Sequence, residues 1–124
     1  MRYVRIFSDA TGASHFQDVE VQAAALGDAD ALISERLAVS GLMFRQVGAS
    51  AVPAWHVAPR RQFVVHVKGE VEVEVSDGEV RRFGPGSVVL VEDTHGAGHI
   101  TRALGGRART TLFIALQEAE GPLG

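Results

Sequence analysis

The stretch RQFVVHVKGEVEVEVS, residues 61–76, contains two short runs of apolar residues separated by Lys68-Gly69. In the second run, valine and glutamate alternate from residue 70 to residue 75. That alternation is typical of a strand with one face in a core and the other in water. A Lys-Gly pair between two such runs is a turn signal. The stretch therefore predicts two strands joined by a tight turn, with Val71, Val73 and Val75 facing inward.

Strand-like runs of similar length recur along the chain, and turn-rich segments such as Gly84-Pro85-Gly86 separate them. Many short strands with regular turns are typical of an all-β sandwich or barrel. One segment, residues 21–39, has a helical composition, but Gly27 and two aspartates interrupt it, so we expect a loop with at most one helical turn. We expect one domain over residues 1–124, with a frayed tail at 117–124. The further predicted strands are 3–7, 15–21, 41–47, 80–83, 87–92, 99–104 and 110–116.

Composition excludes several classes of function. The 124 residues include 46% hydrophobic residues, carry a net charge of −3 and contain no cysteine. A chain without a long basic run is a poor binder of nucleic acid, and one without cysteine has no disulfide or thiolate ligand. No stretch is long and apolar enough to span a bilayer, and the N-terminal MRYVRIFSDA lacks the apolar core of a signal peptide. We expect a soluble cytoplasmic protein that binds neither nucleic acid nor membrane.

Two longer stretches, WHVAPRRQFVVHVKGEVEV at 55–73 and FGPGSVVLVEDTHGAGH at 83–99, carry a family pattern. Together they resemble the two motifs of the cupin superfamily, with the Gly-Pro-Gly turn and the final Gly-x-x-His as the clearest matches. The resemblance implies an all-β, double-stranded β-barrel of the jelly-roll type that holds a metal or a small ligand inside. The glycines at 96 and 98 would let the backbone turn sharply before a strand that begins at His99.

The resemblance also implies a ligand set for a metal ion. It assigns His56, Gln62 and His99 to the positions of metal ligands, while Ala58 stands where a second histidine of the first motif would be. A divalent first-row ion prefers imidazoles together with a carboxylate, and Gln62 brings no negative charge. Two alternatives therefore remain: a bound divalent ion, which would be Zn, Fe, Mn or Ni, or no metal at this position.

Strand parity adds a further candidate. His66 lies on the same strand face as Gln62 and Val64, which makes it a candidate acid or base in the same interior. We also expect the pocket to be lined by His15, Trp55, Val64 and His95.

Three functions remain open at this point. The first is a metal-dependent isomerase, oxygenase or lyase acting on a small organic molecule. The second is a metal-free barrel that binds a small molecule without catalysis. The third is a metal-free enzyme that uses a histidine as its base, as some cupins do.

The opposite face of the strand at 61–67 is also apolar, because Phe63, Val65 and Val67 alternate with the inward residues. A small barrel fills its interior with one face of each strand only. The leftover apolar faces would leave an exposed patch larger than a soluble monomer usually tolerates. The pattern therefore predicts a homodimer, and dimers are common in the family that the chain resembles.

Overall fold

The computed structural model describes residues 1–28 and 30–118, and within these ranges the protein is all-β, without a helix. No helix that could cross a membrane occurs in this part of the chain. The strands are β1 (Arg2–Ser8), β2 (Ser14–Glu20), β3 (Ala23–Ala25), β4 (Leu32–Ser34), β5 (Val39–Val47), β6 (Gln62–Lys68), β7 (Val71–Val75), β8 (Val80–Phe83), β9 (Val88–Val91), β10 (His99–Ala103) and β11 (Arg109–Leu116).

The strands form two main sheets that pack face to face. One has six strands in the order β2-β1-β9-β6-β11-β5, and the other has three in the order β10-β7-β8. Pairing is antiparallel except between β1 and β9. Both sheets contribute to one apolar cluster, which includes Ile6 and Val91 from the first sheet and Val71, Val73 and Val75 from the second.

This arrangement confirms the all-β, jelly-roll-like class but corrects the expectation of a closed barrel. The two sheets remain separate hydrogen-bonded units. A single bridge between His56 and His99 adds one residue of the segment before β6 to the edge of β10. The product is a sandwich that is open between the sheets.

The alternation of apolar and polar residues predicted the buried face correctly in strands that have one solvent-facing side. Val71, Val73 and Val75 are buried, while the glutamates between them are half-buried and lie at the surface. In β9, Val89 and Val91 join the core cluster.

The prediction of a loop with at most one helical turn at 21–39 is wrong. Strands β3 and β4 pair as a hairpin, in which the amide of Leu26 donates to the carbonyl of Ala31. Gly27, with φ at +57°, provides the turn that a helical composition had hidden. At the start of the tail predicted at 117–124, the amide of Gln117 donates to the carbonyl of Ala38. Residues 119–124 lie outside the described part of the chain.

The outer face of the six-stranded sheet is apolar across four neighbouring strands. Phe63 pairs with Ile114 and Val65 with Leu112, and both rows continue into β5 through Leu42 and Phe44. Leu42 is 54% exposed and Phe44 is 78% exposed. The rows extend on the other side to Leu90 and Val88.

Candidate functional site

A cavity of about 270 Å³ lies between the sheets. Its wall includes the inward face of β6, from which Gln62, Val64 and His66 line it. His56 and His99 line it from the segment before β6 and from β10. Histidines 56, 66 and 99 and Gln62, which are far apart in sequence, therefore share one cavity.

His99 is oriented by a buried carboxylate. The Nδ1 atom of His99 lies 2.6 Å from Oδ2 of Asp93, and both side chains are buried. Because an ionised carboxylate only accepts hydrogen bonds, Nδ1–H is the donor. The Nε2 atom of His99 is left as a proton acceptor for whatever occupies the cavity.

His56 is held beside His99 by two backbone hydrogen bonds. The amide of each residue donates to the carbonyl of the other, at 3.0 Å from His56 and 2.9 Å from His99, and the ring centroids are 4.6 Å apart. The Nδ1–H of His56 donates to the carbonyl of Ala54 at 3.0 Å. The Nε2 atom of this second ring is therefore also an acceptor, and His56 is exposed at the mouth of the cavity.

Gly98 makes this pairing possible. Its φ is +71°, and a Cβ atom at this position would overlap the carbonyl group of His56. The carbonyl of Gly98 accepts a hydrogen bond of 2.6 Å from the hydroxyl of Ser14, which ties the turn to β2. The glycine-rich turn thus allows the two imidazoles to approach each other.

Three buried polar atoms of the cavity wall have no hydrogen-bond partner among the described residues. They are Oε1 of Gln62, Nδ1 of His66 and Oγ1 of Thr111. A buried polar group without a partner costs about 1–3 kcal/mol. Such atoms on one cavity wall are typical of a site that completes its hydrogen bonds with a bound molecule or ordered water.

His66 is a neutral imidazole at neutral pH. Burial lowers its pKa from the ordinary 6.5, and the positive charge of Arg109 acts in the same direction. Its ring stacks on Phe83 with the centroids 5.9 Å apart. His66 can therefore accept a proton or a hydrogen bond but carries no permanent charge.

Two arginines line the same cavity. Arg45 of β5 and His66 of β6 both pair with Thr111 of β11, so the three residues form one row across the sheet. Arg109 lies two residues before Thr111, on the same strand face. Burial and the positive charge of Arg45 lower the pKa of Arg109. Within residues 1–28 and 30–118, neither arginine forms an ion pair.

The predicted metal ligands converge, but the donor set does not fit a resident divalent ion. His56, Gln62 and His99 supply two imidazoles and a neutral amide. Ala58 lines the wall where a further imidazole would be needed. In the described ranges no group of three His, Asp or Glu side chains is placed to hold a metal ion. A cation bound by these three residues would also have no anionic ligand in its coordination shell.

Three residues that we expected in the pocket lie elsewhere. Trp55 is 45% exposed and lies beside Glu74 on another part of the surface. His95 is exposed in the turn, where its carbonyl accepts a hydrogen bond from Ser8. Trp55 precedes His56, which lines the cavity, so the alternation of an extended segment places its side chain on the opposite side.

His15 is the third, and it binds two carboxylates at the surface instead. Its Nε2 lies 2.6 Å from Asp9 and its Nδ1 lies 2.8 Å from Asp77. The hydrogen bonds to Asp9 and then to Asp77 raise the pKa of His15 above the ordinary 6.5. This cluster, the His15 clamp, links the β1–β2 turn to the β7–β8 turn.

Sequence reasoning did not assign four residues of the site: Asp93, Arg45, Arg109 and Thr111. Asp93 lies two residues after the end of the apolar run of β9, which is the one signal that pointed to it. The other three meet only because β11 pairs with both β5 and β6.

No protein-family model matches the chain, and no curated protein matches it. Among solved structures, the chain is similar to the crystal structure of protein NMB1881 from Neisseria meningitidis. The identity is 16%, the TM-score is 0.48, and the match covers 68% of this chain and 89% of that one.

Proposed function

We propose that this protein is a cupin-like domain that binds a small organic molecule in the cavity between its two sheets, without a resident metal. The observation that carries the proposal is the set of three unpartnered buried polar atoms on one wall, contributed by Gln62, His66 and Thr111. At about 270 Å³ the cavity suits a ligand smaller than a typical drug molecule, for which cavities of roughly 300–1,000 Å³ are usual. Apolar residues such as Val64 and Val89 would contact the body of the ligand.

A metal-dependent enzyme is the less favoured version of the same proposal. Its support is the convergence of His56, Gln62 and His99, and its weakness is the lack of an anionic ligand among them. Elemental analysis of protein purified without chelator separates the two versions. We expect substoichiometric Zn, Fe, Mn and Ni, and one equivalent of any of them per chain would overturn the metal-free version.

The His99–Asp93 pair favours a second function, metal-free acid–base catalysis on the bound molecule. A buried carboxylate that accepts from Nδ1–H fixes the tautomer and stabilises the imidazolium formed when Nε2 takes a proton. His66 would then serve as a second, neutral proton acceptor in the same cavity.

Cavity filling tests binding directly. Val64 lines the cavity, whereas Val65 faces the outer side of the same strand. A library of small organic compounds should produce saturable amide shifts around the cavity in the wild type and in Val65→Phe. Val64→Phe should abolish those shifts. Equal shifts in all three proteins would show that binding occurs elsewhere and would refute the proposal.

We further propose that the protein is a homodimer. The support is the outer apolar face of the six-stranded sheet, in which Leu42 and Phe44 are exposed beside the half-buried Leu112 and Ile114. Packing two copies of this face together would bury these apolar side chains, which a monomer would leave in contact with water.

A further inference from the structure

The charged residues that line the cavity indicate the chemical class of its ligand. Arg45 and Arg109 contribute positive charge, and no aspartate or glutamate belongs to the cavity wall among the described residues. The chain as a whole carries a net charge of −3, so the cavity is positive within an acidic protein. Arg45 is exposed and Arg109 is half-buried, and neither guanidinium forms an ion pair with a carboxylate among the described residues, so both can pair with an anion in the cavity.

The two arginines lie on neighbouring strands of the sheet, β5 and β11. Arg45, which is exposed, has its Cζ atom 5.4 Å from the ring centroid of Phe113. Arg109 is half-buried and feels the charge of Arg45. The unpartnered hydroxyl of Thr111 lies in the same row as Arg45 and supplies a further hydrogen-bond donor.

The other end of the cavity has the opposite character. Gln62 lies four residues before His66 on the same strand face, which is about 13 Å at 3.3 Å per residue. Asp93, the partner of His99, follows two residues after Val91, which pairs with Gln62. This end offers the Nε2 atoms of His56 and His99, whose Nδ1 atoms are already hydrogen-bonded, rather than guanidinium groups.

Resting on the proposed function, we infer that the ligand is a small hydroxycarboxylic acid, whose carboxylate is bound by Arg45, Arg109 and Thr111 and whose hydroxyl donates to the histidine end. Guanidinium groups match a carboxylate geometrically through paired N–H donors. The apolar wall between the two ends, which includes Val64 and Val89, accommodates the hydrocarbon body of the acid.

Pairs of compounds that differ only in a carboxylate or a carboxamide group test whether the ligand's negative charge contributes to binding. We would titrate ¹⁵N-labelled protein with 4-hydroxybenzoate and 4-hydroxybenzamide, and with 5-hydroxypentanoate and its amide, following cavity amides by NMR. Each acid should bind about tenfold or more tightly than its amide, because hydrogen bonds to a charged group are the stronger ones. Arg45→Gln and Arg109→Gln should each weaken acid binding by about tenfold and leave amide binding nearly unchanged. The exposed Arg82, on β8, provides the control Arg82→Gln, which should bind as the wild type does.

The outcomes separate this inference from the proposed function. Equal binding of acid and amide in the cavity would overturn the carboxylate assignment and leave small-molecule binding intact. Inorganic phosphate that binds more tightly than either acid would also overturn it, in favour of a phosphorylated ligand. If neither the hydroxy acids nor their amides shift the NMR signals of the backbone N–H groups around the cavity, both the inference and the proposed function fail. Circular dichroism of each variant verifies that a loss of binding does not reflect unfolding.

Discussion

At the scale of the residue, Gly98 decides whether the two histidines at the cavity mouth can meet. Its φ of +71° and the approach of the His56 carbonyl both exclude a side chain. Gly98→Ala should therefore lose about 1–2 kcal/mol from the left-handed backbone conformation and a further amount from the displaced His56. Gly78 has φ at +98° and open space where a methyl group would lie, so Gly78→Ala shows the conformational cost alone. Urea unfolding of both variants measures the difference, and equal losses would show that the contact with His56 does not constrain Gly98.

The His15 clamp predicts a pH dependence at the same scale. The pKa of His15 is raised by Asp9 and Asp77, so its stabilising contribution is fully present below the unfolded value of 6.5. That contribution is lost as the pH rises through the folded pKa, which lies above 6.5. The hydrogen bonds to Thr11 and His15 lower the pKa of Asp9, so the clamp also weakens in acid, as Asp9 becomes protonated.

The variant His15→Gln isolates this effect, because glutamine has no charge at any of these pH values. The difference in unfolding free energy between wild type and His15→Gln should be largest between about pH 4, where unfolded aspartate titrates, and pH 6.5, and should shrink in alkaline buffer. Urea midpoints from about pH 4 to pH 9 measure it. A difference that grows with pH would mean that His15 is neutral in the folded protein.

At the scale of the element, β11 carries a buried hydroxyl group that would serve the proposed binding and that costs stability in the free protein. Thr111 is 2% exposed and its hydroxyl has no partner among the described residues. Thr111→Val keeps the shape and removes the unpartnered hydroxyl, so it should raise the free energy of unfolding by about 1 kcal/mol. The same change should weaken binding of 4-hydroxybenzoate.

The neighbouring Thr110 is half-buried and provides the matched control, because Thr110→Val changes strand propensity equally without touching the cavity wall. Urea unfolding curves measure the stability of both variants, and NMR titrations with 4-hydroxybenzoate measure their binding. A Thr111→Val protein that is less stable than Thr110→Val would show that the hydroxyl is satisfied within the fold.

Strands with one wet face were predictable from sequence, as the alternation in β7 demonstrates, and parity correctly put Gln62 and His66 on one face. The hairpin of β3 and β4 could not be predicted from the sequence, because its alanines favour a helix and its register depends on a turn at Gly27. The arginine end of the cavity was also hidden. Arg45 and Arg109 meet only through the order of strands in the sheet, which neither residue signals locally.

At the scale of the whole molecule, the outer apolar face predicts association. We expect sedimentation equilibrium at micromolar concentration to give twice the chain mass of 13.2 kDa. Leu42→Arg combined with Phe44→Arg should shift the protein to monomer, because both side chains lie on that face and would bring charge into it. Met43, which alternates with them and points to the other side of β5, provides the control Met43→Arg. A wild type that sediments at the single-chain mass, or a dimer indifferent to the double substitution, would contradict this interface.

The position of β11 also has a consequence for how the protein is made. The strand at 109–116 lies between β6 and β5 in the six-stranded sheet, although both of those strands are synthesised long before it. While a ribosome is still translating the preceding residues, β5 and β6 have no partner on their facing edges and the arginine end of the cavity does not exist. Nascent chains stalled before residue 109 should therefore be protease-sensitive and bind chaperones, and release of residues 109–116 from the exit tunnel should abolish both.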